Sequence, residues 1–311
     1  MAKLTERTDR GGRGSGLGPR GRGLFDRLFS SLRGGPAAHS EARSIAVASG
    51  KGGTGKSFVA TSLSVLLHQA GRRTTLVDCD FGLACDHLLM GVKPTLTLQQ
   101  LLTGKATLDQ VLLGTPCGPR LLPGASGVRK MANLTDRELL NLARELGGIA
   151  RREDVVLLDL GAGISPQVVL GMLAADYIVL VTQPEIAALV DAYAVIKCVA
   201  QLNQRARFLV LVNRVPVAGR GEQAFAKLTE VARQHAGVRL EYLGEIEEDA
   251  RVSQHRLGQL PLVVTDPGAA TSRALARIAQ RLEEIAGPLC ASEIAEDRGI
   301  EARFREHRLF L

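Results

Sequence analysis

The sequence predicts an α/β fold, a mostly parallel, twisted sheet covered by helices on both faces. Three observations support this. From Ser44 onward, short apolar runs alternate with stretches of helical periodicity. Runs such as Val155-Val156-Leu157-Leu158 and Phe208-Leu209-Val210-Leu211-Val212 are apolar at every position, as strands buried on both faces must be. Each stretch with chemical character lies just after such a run, which is where an open parallel sheet holds its ligands.

Taken in order, residues 44–48 form the first predicted strand, and a glycine-rich loop follows it. Residues 57–69 read as a helix because Val59, Leu63, Leu66 and Leu67 recur at helical spacing. Strands are expected at 74–78 and 120–123, with a helix at 96–102 between them. A helix at 136–146 leads into the strand at 155–160, and a helix at 166–174 into the strand at 177–181. Helix 185–202, strand 208–213, helix 221–234 and strand 242–245 continue the alternation, and helices at 249–254 and 268–285 close it. No internal repeat at a fixed period interrupts this order.

With 311 residues and 45% apolar side chains, one large domain with a sizeable core is expected at 44–288, flanked by tails at 1–43 and 289–311. Most of the net charge of +7 belongs to the first tail, where residues 1–43 hold nine Lys/Arg against four acids. Its Gly/Arg-rich residues 1–23 cannot bury enough surface to offset chain entropy and are expected to be disordered. Residues 24–33 differ. Leu24, Phe25, Leu28, Phe29 and Leu32 fall on one side of a helix and Asp26, Arg27, Ser30, Ser31 and Arg33 on the other, before Gly34-Gly35-Pro36 stops it.

Five cysteines, Cys79, Cys85, Cys117, Cys198 and Cys290, show no short paired spacing, which argues against a zinc site or a disulfide framework and for reduced, cytoplasmic thiols. No apolar run approaches the roughly 20 residues that span a bilayer, and the amino terminus has no secretory apolar region. Trp is absent and aromatic residues make up 4%, which leaves little for stacking on single-stranded nucleic acid.

Three motifs carry the chemistry. The loop Ser49-Gly50-Lys51-Gly52-Gly53-Thr54-Gly55-Lys56-Ser57 has the glycines that let successive backbone N–H groups face phosphate oxygens, and the helix behind it adds the positive end of its dipole. In such a loop Lys56 reaches the β- and γ-phosphates and the Ser57 hydroxyl binds Mg²⁺. Lys51 is not needed to cradle phosphates within one subunit. It is either a solvated loop charge or a group aimed at a nucleotide from elsewhere. The second motif, Val77-Asp78-Cys79-Asp80-Phe81-Gly82, ends a strand with two carboxylates, suited to Mg²⁺ and an attacking water or, alternatively, to Asx-type turns. In the third, Val155-Val156-Leu157-Leu158-Asp159-Leu160-Gly161-Ala162-Gly163, a buried strand delivers Asp159 to a Mg²⁺-bound water. Gly161 and Gly163 let the following loop approach the γ-phosphate and move when it leaves.

Residues Lys51 to Ser57 match Lys-Gly-Gly-x-Gly-Lys-[Ser/Thr] at every position. On this motif the chain resembles the deviant Walker A ATPases, a branch of the P-loop NTPases that includes MinD, ParA, the nitrogenase iron protein and the flagellar-number regulator FlhG, also called FleN. The resemblance covers roughly 44–282. It implies ATP and Mg²⁺ as ligands, slow, partner-stimulated ATP hydrolysis, and an ATP-bound homodimer in which Lys51 touches the partner's nucleotide. It also implies that Asp80 orients the hydrolytic water, that Asp78 lies nearer the metal, and that Asn213 contacts adenine. The run Asn213-Arg214-Val215-Pro216 lacks the aspartate of a guanine-selective loop, so ATP is preferred over GTP. Glu185 and Asp191 lie in a segment resembling the one that meets the dimer partner, and are candidates either for receiving Lys51 or for plain helix amino-terminal acids.

Within the family, Asp159-Leu160-Gly161-Ala162-Gly163-Ile164-Ser165 looks more like the FlhG form than the Asp-Ser-Pro-Ala-Gly form usual in MinD. This implies a molecular switch that sets flagellar placement or number. The alternatives are a MinD-type division-site regulator and a ParA-like nucleoid-binding partition ATPase. The resemblance implies the SRP-type GTPase FlhF or another activating partner, although the tail departs from the FlhG pattern in lacking its glutamine–alanine motif for FlhF. Residues 301–311 lack a Lys/Phe/Leu-rich membrane helix and are expected to form a frayed, solvated end. The stretch 24–33, flanked by arginines, suits an anionic surface at the inner face of the cell membrane, or docking on the body or on a partner protein. DNA is the less favoured partner, because most of the basic charge lies in the tail and no folded basic stripe is evident.

Overall fold

The structure, a computed structural model, describes residues 42–125, 134–255, 257–287 and 299–308. Eight strands form one sheet in the order β3-β4-β2-β5-β1-β6-β7-β8. They are β1 (Arg43–Ser49), β2 (Thr74–Cys79), β3 (Leu113–Gly114), β4 (Arg120–Leu122), β5 (Val155–Ala162), β6 (Tyr177–Thr182), β7 (Phe208–Val215) and β8 (Leu240–Glu247). All neighbours are parallel except β3 and β4. The expected mostly parallel sheet is present, with β1 at its centre between β5 and β6.

The all-apolar runs within the central strands have their cause in two separate cores. Ile45 and Val47 of β1 join the core under helices Lys56–Gln69 and Ala270–Ile285, while Ala46 and Ala48 join the core under the helices of the opposite face. The period-2 pleat repeats this in β5 and β7: Leu157 and Leu209 face one core, Leu158 and Val210 the other. Each fully buried aliphatic side chain contributes roughly 1.5–3 kcal/mol, so both faces must stay covered.

Several boundaries move for local reasons. The helix expected from 96 begins at Leu98, because Thr97 and Gln100 form a capping box there. Thr135 caps the helix Asp136–Ala150 in the same way with Glu138. Glu185 stands just outside its helix, as the cap of Ile186–Leu202. Short elements without enough residues to show a period were not expected: β3 and the helices Asp86–Leu89, Leu108–Val111 and Leu262–Thr265.

The solvated end expected at 301–311 is corrected over its described part. Ile300–His307 is a helix whose Ile300 and Phe304 are buried in the core on the side of Asp136–Ala150 and Pro166–Ala174. Arg303 anchors it, pairing with Asp176 at 2.7 Å and donating Nε–H to the Ala174 carbonyl at 2.9 Å. Residues 1–41, including the stretch 24–33, and residues 288–298 and 309–311 lie outside the described residues.

Candidate functional site

The glycine-rich loop leaves the centre of the sheet where β1 ends, and neighbouring strand ends hold it from the side. Asn213, closing the buried part of β7, donates its Nδ2–H to the Thr54 carbonyl at 2.7 Å, and Gln183, just past β6, donates to the Gly53 carbonyl at 3.4 Å. Gly53 and Gly55 adopt φ of 78° and 88°, a region that disfavours side chains. A Cβ on Gly55 would also collide with the Asn213 amide, and one on Gly50 with the Asp191 backbone. Gly55 caps helix Lys56–Gln69, whose first turn carries no acidic residue to compete with an anion for its amino-terminal N–H groups. The loop and Asp80, Phe81, Gly161, Ser165 and Gln167 line a cavity of about 610 Å³. A second cavity of about 500 Å³ lies against Gly53, Gly55, Phe58, Asn213 and the residues around Glu247 and Asp249.

Strand register creates the charge cluster beneath the loop. Asp78 of β2 and Asp159 of β5 are direct cross-strand partners. Asp86, absent from the sequence expectations, supplies a third carboxylate, and one oxygen from each of the three lies within 4.8 Å of the others. All three are buried. Lys56 Nζ is 2.7 Å from Asp159 Oδ1 and 3.3 Å from the Ser57 hydroxyl. Burial pulls the Lys56 ammonium down, but the adjacent Asp159 more than reverses this and keeps it charged. Burial, then the charge of Asp159, pushes Asp78 up to about 7, and burial likewise raises Asp86 and Asp159. Fully ionised, three carboxylates against one ammonium would carry an excess of two negative charges in a dry site, which is why all three resist ionisation until a cation joins them. Asp159 Oδ2 and both Asp86 oxygens have no hydrogen-bond partner. Hard oxygen donors with this charge excess fit a divalent cation such as Mg²⁺.

Asp80 stands apart from this cluster. Its Oδ1 accepts the N–H groups of Gly82 at 3.2 Å and Leu83 at 3.0 Å, so it forms the Asx-type turn and lines the cavity at once. Gly161 lines the same cavity, and Gly163, with φ of 90°, donates its N–H to the Ser49 carbonyl at 2.9 Å. That bond joins the end of β5 to the start of the glycine-rich loop.

The outer rim is different. Lys51 is half-buried, with its carbonyl accepting the Ser49 hydroxyl at 2.9 Å. Asp191 packs its backbone against Gly50, and Glu185 is exposed at the cap of the same helix. Among the described residues, Lys51 forms an ion pair with neither.

This geometry agrees with a match along the chain: residues 45–262 fit the family model described as the CobQ/CobB/MinD/ParA nucleotide binding domain. The chain belongs to that family. Its MinD/ParA relatives include the antiactivator FleN of Pseudomonas aeruginosa, 36% identical over 239 residues, covering 77% of this chain and 85% of that protein. The flagellum site-determining protein YlxH of Helicobacter pylori is 32% identical over 212 residues, covering 68% and 71%. Among solved structures, the Pyrococcus furiosus cell division ATPase MinD superposes with a TM-score of 0.67 at 28% identity, covering 78% of this chain and 99% of that one. MinD of Pyrococcus horikoshii, solved with Mg-ADP, gives 0.66 at 29% identity, covering 79% and 98%. The MinD-like P-loop NTPase fold is thereby established for this chain.

Two site residues escaped the sequence reading. Asp86 opens a helix of four residues, too short for any period, and only the pairing of β2 with β5 brings it to Asp159. Gln183 follows β6 as an ordinary polar residue, and its contact with Gly53 depends on the neighbouring positions of β1 and β6. Asn213 was expected at adenine; in this structure its Nδ2 is engaged by Thr54 and its Oδ1 by the Arg214 N–H at 2.9 Å.

Proposed function

We propose that this chain is a Mg²⁺- and ATP-dependent ATPase that works as a dimerising molecular switch and sets the placement or number of flagella. The observation that carries the switch reading is a phosphate loop whose second lysine, Lys51, stands at its rim with no ion-pair partner among the described residues. Exposed apolar side chains lie on the segments that meet the loop: Leu83, which lines the cavity, is 76% exposed, Ile164, just past β5, 51%, and Ile186 and Val190, on the helix whose Asp191 packs against Gly50, 79% and 60%. Water-facing side chains of this size beside a ligand cavity favour cover by a second copy. The flagellar assignment rests on the similarity to FleN and YlxH.

In this reading the loop N–H groups and Lys56 bind the β- and γ-phosphates, so Lys56 exchanges Asp159 for phosphate oxygens when the nucleotide enters. Ser57, Asp78 and Asp159 hold Mg²⁺, which neutralises phosphate charge when bound. Asp80 accepts a hydrogen bond from the attacking water and so orients it. Lys51 of one subunit reaches the partner's phosphates, with Glu185 and Asp191 as its neighbours across the interface. Closure around ATP positions the reacting groups, and hydrolysis releases the two subunits. Gly161 and Gly163 give the loop after β5 freedom to follow the departing phosphate. Residues 24–33 contact an anionic membrane surface or a partner such as an SRP-type GTPase.

The experiment is light scattering with ATP and Mg²⁺. The wild-type chain is expected to shift from monomer to dimer, and Lys51→Ala to remain monomeric. A variant that dimerises with ATP as the wild type does contradicts the role across the interface. A second reading, a regulator of the division site, draws on the likeness to MinD structures of 28% and 29% identity. Deletion separates the two: altered flagellar count with normal septa favours the first, misplaced septa the second.

A further inference from the structure

We infer that Asp86 completes a site that takes a divalent cation on the protein's own carboxylates, before any nucleotide is present. This deepens the reading of the nucleotide site and rests on it for the identity of the surrounding loop. The starting point is an unusual side chain. Asp86 is 0% exposed, and neither of its carboxylate oxygens meets a hydrogen-bond donor. A buried, unpartnered carboxylate is among the costliest groups a protein can carry, so it either stays protonated or meets a cation.

Its placement is built, not incidental. Asp78 Oδ2 accepts the Asp86 N–H at 3.1 Å, and Asp78 Oδ1 accepts the Asp80 N–H at 3.2 Å. One carboxylate thus gathers both ends of the segment 80–86 and sets the Asp86 side chain beside its own. Oxygens of Asp78, Asp86 and Asp159 lie within 4.8 Å of one another. Two ligands held at roughly 2.0–2.6 Å from one hard cation stand up to about 5 Å apart, so the three oxygens can share one ion. The ion-pair partner of the cluster is Lys56, bonded to Asp159 Oδ1, while Asp159 Oδ2 is left over beside Asp86. A cation of charge two with a preference for oxygen matches both the donors and the charge. Its presence would also tie residues 80–86 to β5, so this loop would be ordered by metal alone.

The test uses the full, nucleotide-free chain and Mn²⁺ alone, read by the electron paramagnetic resonance of free Mn²⁺. The wild type is expected to show one site, and Asp86→Asn to weaken it by about tenfold or more. Hydrogen exchange on the unmutated chain gives a reading that needs no substitution: Mn²⁺ is expected to slow the amides of Asp80 and Asp86. A wild type that binds no Mn²⁺ without nucleotide, an Asp86→Asn variant with unchanged affinity, or amides indifferent to Mn²⁺ would each overturn the inference. Calorimetry with ADP on the same preparation keeps the two readings apart. Absent ADP binding with an intact Mn²⁺ site removes the ATPase proposal and supports the metal site, and the reverse result removes the metal site alone.

Discussion

The inner and outer halves of the glycine-rich loop are built on opposite principles. Inside, Lys56, Asp78, Asp86 and Asp159 are buried, held by strand register and in contact within one subunit. Outside, Lys51, Glu185 and Asp191 sit at a rim with exposed Ile186 and Val190, and none of the three forms an ion pair among the described residues. On the proposed reading, folding completes the inner half, and association with a second copy completes the outer half. Substitutions should therefore separate: inner ones change stability and chemistry together, outer ones change assembly and spare the fold.

The largest effect is expected at Lys56. Lys56→Ala leaves the buried Asp159 without its ammonium and should cost about 3–5 kcal/mol of stability, with nucleotide binding lost as well. Chemical denaturation and calorimetry with ADP check both; a fully stable variant would break the account of the inner half. Asn213→Ala comes next. Losing the bond to the Thr54 carbonyl should cost about 1–3 kcal/mol and weaken nucleotide binding, since the loop loses its lateral support. If binding fell with stability unchanged, Asn213 would instead act on the nucleotide directly.

At the outer rim, Ile186→Asp should weaken the ATP-dependent dimer by about tenfold while stability stays within about 0.5 kcal/mol. Analytical ultracentrifugation with ATP and a denaturant titration measure the two sides of that statement. The smallest change in stability is expected for Lys51→Ala, also within about 0.5 kcal/mol. A larger loss in its denaturation curve would mean that Lys51 serves the fold of its own chain.

The same contrast explains what could be read before folding. The sheet was legible because residues 155–158 of β5, 178–181 of β6 and 208–212 of β7 are apolar at every position, a pattern that double-sided burial demands. The loop was legible because phosphate binding dictates residue types in a fixed local spacing. Asp86 was not, since its role depends on the Asp78–Asp159 register and on an N–H held by Asp78, neither of which leaves a local mark. The helix Ile300–His307 was hidden by its charge. Only Ile300 and Phe304 mark its buried side, and its anchor, Arg303 on Asp176, joins distant parts of the chain.

The central claim, that one subunit's Lys51 completes the other's site, is tested most directly by mixing two inactive variants. Lys51→Ala keeps Asp80, and Asp80→Asn keeps Lys51, so a mixed dimer holds one site with both groups only when Lys51 acts across the interface. Neither variant is expected to hydrolyse ATP alone, and the mixture is expected to regain hydrolysis. A mixture as inactive as its components, with mixed dimers demonstrated, would contradict it.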